Sequence, residues 1–157
     1  MRYFFAFFFL LNSFLPLTAF SANAPFPFHC QTSKLKDLIE LAASQDKTLL
    51  VIENISNNAV WLVNQSDGAG VDAGFDEKIS MDKNAVLFLD KSRALSFQCI
   101  EARDGGEQLY PCSELINACF ATKFKTPKSL TGSFWAVEES EKKDIIFNLA
   151  KHGIEVE

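Results

Sequence analysis

The chain has 157 residues, with 15 Lys and Arg set against 20 Asp and Glu for a formal net charge of −5, and phenylalanine is unusually frequent at 16 positions. Nucleic-acid affinity rests on clustered Lys and Arg that release counterions from phosphates, so this acidic balance excludes a nucleic-acid-binding surface. The length suits one domain, which at this size hides roughly two-thirds of the surface its unfolded chain exposes.

Residues 1–24 stand apart. They hold seven of the phenylalanines and a single charge, Arg2, and run from that basic start through an apolar middle to the small residues Ala19, Ser21, Ala22 and Ala24. This is the pattern of a secretory signal peptide. Cleavage after Ser21, with Ala19 and Ser21 as the small pair, is favoured over cleavage after Ala24, where Pro25 would follow the scissile bond. The uninterrupted apolar run ends at Leu11, and Asn12, Ser13 and Pro16 break the remainder short of the ~20 residues a membrane span needs. Cys30 follows Phe28 and His29 rather than small residues, so no lipid anchor is expected either. The expectation is a periplasmic or secreted protein with no stable membrane anchor once the leader is gone, and a single domain over residues 25–157.

In that domain the prolines at 25 and 27 favour an extended entry. Residues 33–45 read as a helix capped by Ser33, with Leu35, Leu38, Ile39 and Ala42 on one face. Residues 48–53 (Thr-Leu-Leu-Val-Ile-Glu) and 59–63 (Ala-Val-Trp-Leu-Val) are β-branched, apolar runs joined by the turn-rich Asn54-Ile-Ser-Asn-Asn58, which predicts a hairpin. Further strands are expected at 77–81, 85–89, 94–101 and 132–138; in the third of these Leu95, Phe97 and Cys99 alternate with Ser96 and Gln98. Residues 112–119 (Cys-Ser-Glu-Leu-Ile-Asn-Ala-Cys) read as a helix. A last helix is expected from an N-cap at Ser140, packing through Ile145, Ile146, Leu149 and Ala150 and stopping at Gly153. Closely spaced runs separated by turns favour a mainly β (α+β) fold, an antiparallel immunoglobulin-like β-sandwich with N- and C-terminal flanking helices.

All four cysteines, Cys30, Cys99, Cys112 and Cys119, lie in the exported part, and an even count in an oxidising compartment reads as two disulfides. No C-x-x-C pair is present, and only His29 and His152 would add nitrogen ligands, so neither a zinc site nor a thioredoxin-type role is expected. If residues 112–119 are helical, the rise of ~10.5 Å exceeds the ~7 Å a disulfide tolerates between Cα atoms, and Cys112 cannot pair with Cys119. Two pairings remain: Cys99–Cys112 with Cys30–Cys119, or Cys30–Cys112 with Cys99–Cys119. The first is preferred because Gly105-Gly106 lets the short loop fold back.

Candidate chemistry is sparse. The Gly/Asp loop 67–76 lacks the spacing and the strand-turn-helix context of a dinucleotide loop and the alternating ligands of an EF-hand; it reads as a surface loop. No G-x-S-x-G elbow appears, the two histidines have no evident partner, and carboxylates such as Glu53 and Glu138 are too numerous for one pair to stand out. No cofactor, metal or catalytic residue is expected. Trp61, Phe134 and Trp135 are the candidate partner surface, with Phe134 and Trp135 on opposite faces of a strand. Lys123-Phe-Lys-Thr-Pro-Lys128 is a small basic segment suited to a solvated loop, an acidic partner or a lipid headgroup, and Asn54 and Asn64 lie in glycosylation sequons.

Val51-Ile-Glu-Asn-Ile-Ser-Asn-Asn-Ala-Val-Trp-Leu62, Ser96-Phe-Gln-Cys99-Ile-Glu, Pro111-Cys112-Ser-Glu-Leu-Ile-Asn-Ala-Cys119 and Gly132-Ser-Phe-Trp-Ala-Val-Glu-Glu together resemble the enhanced-entry protein B family of intracellular gammaproteobacteria. The similarity spans most of the mature chain and falls on scaffold positions. It implies an exported accessory protein associated with host-cell entry and virulence, encoded beside a large Sel1-repeat envelope protein, and it carries no catalytic residue. The expected function is therefore a non-enzymatic interaction module of the bacterial envelope. The alternative is a peptidoglycan-active envelope enzyme or an inhibitor of one.

Overall fold

Leu-Leu-Val-Ile and Ala-Val-Leu-Phe-Leu are apolar at every position, and a strand with that pattern must be buried on both faces. In the computed structural model, which describes residues 26–33, 45–64, 76–90, 97–103 and 105–157, these runs form β2 (Lys47–Asn54) and β5 (Asn84–Asp90). They lie side by side in a five-stranded sheet with β1 (Cys30–Ser33), β8 (Ile116–Ala121) and β10 (Phe134–Ser140), in the order β1-β8-β2-β5-β10. The period of two sorts their side chains. Leu49, Val51, Val86 and Phe88 go to one cluster, and Leu50, Leu87 and Leu89, with Ile52 and Ala85, go to the opposite side. Each fully buried Val, Leu, Ile or Phe among them contributes about 1.5–3 kcal/mol relative to exposure.

A four-stranded sheet, ordered β4-β3-β6-β7, is built from β3 (Val60–Asn64), β4 (Glu77–Ile79), β6 (Phe97–Arg103) and β7 (Gly106–Tyr110). Its inward residues Val60, Leu62, Ile79 and Cys99 meet Ile52 and Ala85 of the larger sheet. Leu115, from the short helix α1 (Cys112–Leu115), joins the same cluster. Every pairing among the described strands is antiparallel, including the small ladder of β9 (Phe124–Lys125) with β11 (Glu155–Val156). The molecule is mainly antiparallel β.

The other face of the five-stranded sheet is covered by a 3₁₀ turn (Lys142–Asp144) and α2 (Ile145–Lys151), which buries Ile145 and Leu149 against Val51, Val86 and Phe88. Gly153 ends this helix as expected. At φ +70° it lets its own N–H reach the Ala150 carbonyl while the Ile154 N–H reaches that of Leu149. These are the paired bonds of a Schellman stop, with Ile154 and Leu149 both in the core. A Cβ at this position would also sit 2.9 Å from Cγ of Pro127. Gly153→Ala is expected to cost about 1–2 kcal/mol, from the left-handed backbone and the displaced Pro127 ring, read as a lowered thermal midpoint.

Four sequence expectations are corrected. Residues 48–53 and 59–63 form strands but no hairpin: β2 pairs with β5 and β8, whereas β3 pairs with β4 and β6 in the other sheet. With both faces apolar, β2 needs a packed layer above and below it, and the 55–59 connection carries the chain across to the second sheet, where Val60 and Leu62 of β3 cover one of those faces. Residues 112–119 are helical only over α1; from Ile116 the chain extends as β8, whose Ile116, Ala118, Cys119, Phe120 and Ala121 are buried between β1 and β2. Tertiary pairing overrides the helical pattern there. Ser140 ends β10 rather than capping a helix. On α2, Ile146 is 42 % exposed and Ala150 is also exposed, so the packing face is narrower than expected. The strand β7 was not expected, because Gly-Glu-Gln-Leu-Tyr is polar and follows a glycine pair. The leader, all of the helix expected at 33–45 except its end residues Ser33 and Gln45, and all but Asp76 of the Gly/Asp loop lie outside the described residues.

Candidate functional site

The two disulfides are Cys30–Cys119 and Cys99–Cys112, with Cα separations of 5.7 Å and 5.1 Å. This is the preferred pairing. Its premise, a helix from 112 to 119, holds only over Cys112–Leu115, and Cys119 instead lies in β8. The first bridge joins the edge strand β1 to β8 in the five-stranded sheet. The second closes the β6–β7 hairpin and α1 into one loop on the four-stranded sheet. Two disulfides point to an oxidising, non-cytoplasmic compartment. Among the described residues no helix is long and apolar enough to cross a membrane.

The most organised polar cluster surrounds Glu101 of β6, which is only 2 % exposed. Its carboxylate accepts from Ser56 Oγ, from Asn58 Nδ2 at 3.2 Å and from Arg103 Nε. The Ser56 hydrogen bond, seconded by Asn58 and Arg103, holds the Glu101 pKa below its ordinary value against the opposing effect of burial. Asn54 supports the same loop from below. Its Nδ2 donates to the carbonyls of Asn58 (2.7 Å) and Ile79 (2.8 Å), and its Oδ1 accepts from the Ser56 N–H (2.8 Å). Asn54 is therefore 2 % exposed and fully engaged, so its sequon is not displayed on the folded protein. The side chains of Asn57, Arg103 and Glu114 surround an open depression of about 330 Å³ above this cluster. Sequence reasoning missed it; a lone acid on the inward face of an apolar strand was the available signal.

On the outer face of the four-stranded sheet, strand register sets Lys78, Trp61, Ile100 and Leu109 opposite one another across all four strands. Leu109 is 63 % exposed on the edge strand β7. Trp61 and Ile100 are half-buried, and Lys78 Nζ lies 5.7 Å from the Trp61 ring centroid. Phe134 and Trp135 are placed elsewhere and, as expected, on opposite faces. Phe134 packs against the rings of Phe88 (5.4 Å) and His152 (5.5 Å) under α2, whereas Trp135 joins the clusters on the other side of the sheet. The three aromatic candidates thus do not form one surface.

Glu53 is held by Lys142 Nζ at 2.6 Å. Glu138 lies instead close to Glu77, whose carboxyl is pushed up to about 6, first by burial and then by the charges of Glu138 and Glu139. A raised native pKa means that Glu77 favours folding fully below its ordinary value of 4.5, and that this contribution disappears as pH rises through about 6. Glu77→Gln is expected to stabilise the protein by about 1 kcal/mol at neutral pH and to change nothing near pH 4, measured by urea unfolding; the side chain's partial solvation keeps the effect below the full equivalent of the shift.

The basic segment is partly neutralised by the chain itself. Lys125 faces Glu155 across the β9–β11 ladder, and its Nζ lies 3.4 Å from Glu157. Among the described residues no group of three or more His, Cys, Asp and Glu is arranged to hold a metal ion. The chain matches no protein-family model, no curated protein and no solved structure.

Proposed function

We propose that this chain belongs with the enhanced-entry protein B proteins and acts in the periplasm or outside the cell as a non-enzymatic interaction module, accessory to host-cell entry and virulence through protein contacts. Its two facing antiparallel sheets are taken as an immunoglobulin-like sandwich with flanking helices, braced by the disulfides. The observation that supports binding is the row Trp61, Ile100 and Leu109, apolar side chains on the outer face of a sheet that ends, among the described residues, at the edge strand β7. Such a row suits a protein surface, and the outer backbone edge of β7, which no strand pairs among the described residues, adds donors and acceptors for a partner's strand. A large Sel1-repeat envelope protein is the first candidate partner.

The test is capture from native envelope extract with the exported, disulfide-bonded protein and with Leu109→Glu. Leu109 is too exposed for the substitution to change stability by more than ~0.5 kcal/mol. A protein retained by the parent and lost from the variant is the expected result; equal retention, or none, refutes the proposal. A peptidoglycan-active enzyme, or an inhibitor of one, is the second reading, favoured by the raised Glu77 carboxyl beside Glu138 and Glu139. Release of muropeptides from purified peptidoglycan, abolished in Glu77→Gln, would decide for the enzyme.

A further inference from the structure

We infer that the depression above Glu101 is a binding site for a small zwitterion, a free amino acid or a short peptide with both termini unblocked, in which Arg103 takes the carboxylate and Glu114 the ammonium group. The volume of about 330 Å³ lies at the lower end of the range for small-molecule sites. Its floor includes the buried Leu115, and its charged groups are Glu101, Arg103 and Glu114.

Arg103 is already oriented before any ligand arrives. Its Nε is given to Glu101, and its guanidinium lies 4.2 Å from the centroid of the Tyr110 ring. Among the described residues nothing else engages the group, so its two Nη nitrogens remain as a planar fork of the shape that receives a carboxylate. Holding the side chain from two sides in advance reduces the entropy lost on binding. Glu114, on the short helix α1, lines the same depression, is exposed, and forms no ion pair among the described residues.

The charge balance selects the ligand. The buried Glu101 carboxylate cancels Arg103, which leaves the site with the charge of Glu114. A simple anion would meet Glu101 and Glu114 together and be rejected, and a simple cation would leave the Arg103 fork unused. A molecule with one group of each sign satisfies both ends. The loop that forms the rim is pre-set by its own hydrogen bonds, Ser56 Oγ accepting from the Asn58 N–H at 3.0 Å in addition to the contacts of Asn54. This site is separate from the proposed partner row. Glu101 and Arg103 alternate with Ile100 along β6 and so lie on the inward side of the sheet, while Ile100 faces out with Trp61 and Leu109.

The experiment is an NMR titration of the exported, disulfide-bonded protein with glycylglycine, N-acetyl-glycylglycine and glycylglycinamide. Saturable shifts at the amides of Asn57, Asn58 and Glu114 are expected with glycylglycine, and binding at least about tenfold weaker with either blocked form, the factor for one lost charge-assisted hydrogen bond. Glu114→Gln should remove the discrimination against the acetylated probe, and Arg103→Lys, which keeps the charge beside Glu101 but not the fork, should reduce the discrimination against the amide. Equal binding of the three probes, shifts that do not saturate, or no shifts would overturn the assignment. The comparison among probes needs no variant, so a substitution that unfolds the protein does not spare the proposal.

Discussion

Replacing Cys30 and Cys119 together by Ala lowers stability by about 4.5 kcal/mol, against about 3 kcal/mol for the corresponding replacement of Cys99 and Cys112. The difference follows from loop length. The bridges span sequence separations of 89 and 13 residues, and closing a longer loop removes more conformational freedom from the unfolded chain. The native side works in the same direction. β1 is a strand of four residues whose one strand partner among the described residues is β8, and the Cys30–Cys119 bridge ties it there; the Cys99–Cys112 bridge reinforces a hairpin that β6 and β7 already form. Urea unfolding of the oxidised parent and the two double variants checks the order. A larger loss from the short loop would show that the unfolded chain is not the state these bridges restrain.

Glu101→Ala is expected to cost about 2–4 kcal/mol, because one truncation strands three donors, Ser56 Oγ, Asn58 Nδ2 and Arg103 Nε, two of them on the loop that joins the two sheets. Arg103 is half-exposed and recovers water; Ser56 and Asn58 are less exposed and recover it less readily. The pH dependence has a definite sign. Because the native pKa of Glu101 is lowered, mainly by Ser56, its contribution is complete above the ordinary value of 4.5 and is lost as acid carries the pH down through the native pKa. The parent should therefore lose stability on acidification in a range where Glu101→Ala does not. Glu77 acts in the opposite direction and over a higher range, so the two variants separate the two carboxylates. If Glu101→Ala keeps the same acid sensitivity as the parent, the cluster is not the acid-labile element of this fold.

The legible parts of the sequence were those where one side chain's chemistry decides. Thr48-Leu-Leu-Val-Ile-Glu and Ala85-Val-Leu-Phe-Leu had to be strands, since no solvated face was available to them, and Gly153 had to be a stop because only glycine accepts that φ without strain. The illegible parts depended on neighbours. Ile116 to Ala121 carries a pattern that suits a helix as well as a buried strand, and the choice was made by the gap between β1 and β2. Phe134 and Trp135 were rightly set on opposite faces, yet which aromatic stayed outside was decided by strand order, since β10 is covered by α2 on one side and shared clusters on the other, while Trp61 lies on a sheet face that no described element covers. The polar depression was the least visible feature. Its residues come from a loop, a strand and a short helix spread from Ile55 to Leu115, and nothing in their spacing joins them.

By itself the sequence determined that this protein is strand-rich and braced by two disulfides, because burial of continuous apolar runs and the even count of cysteines are properties of local composition. Only the tertiary structure decided which strands pair, that β2 and β3 part company into different sheets, and that an inward-facing glutamate becomes the anchor of a polar cluster. Strand pairing and side-chain convergence are long-range choices, fixed by what each element finds beside it once the chain has collapsed.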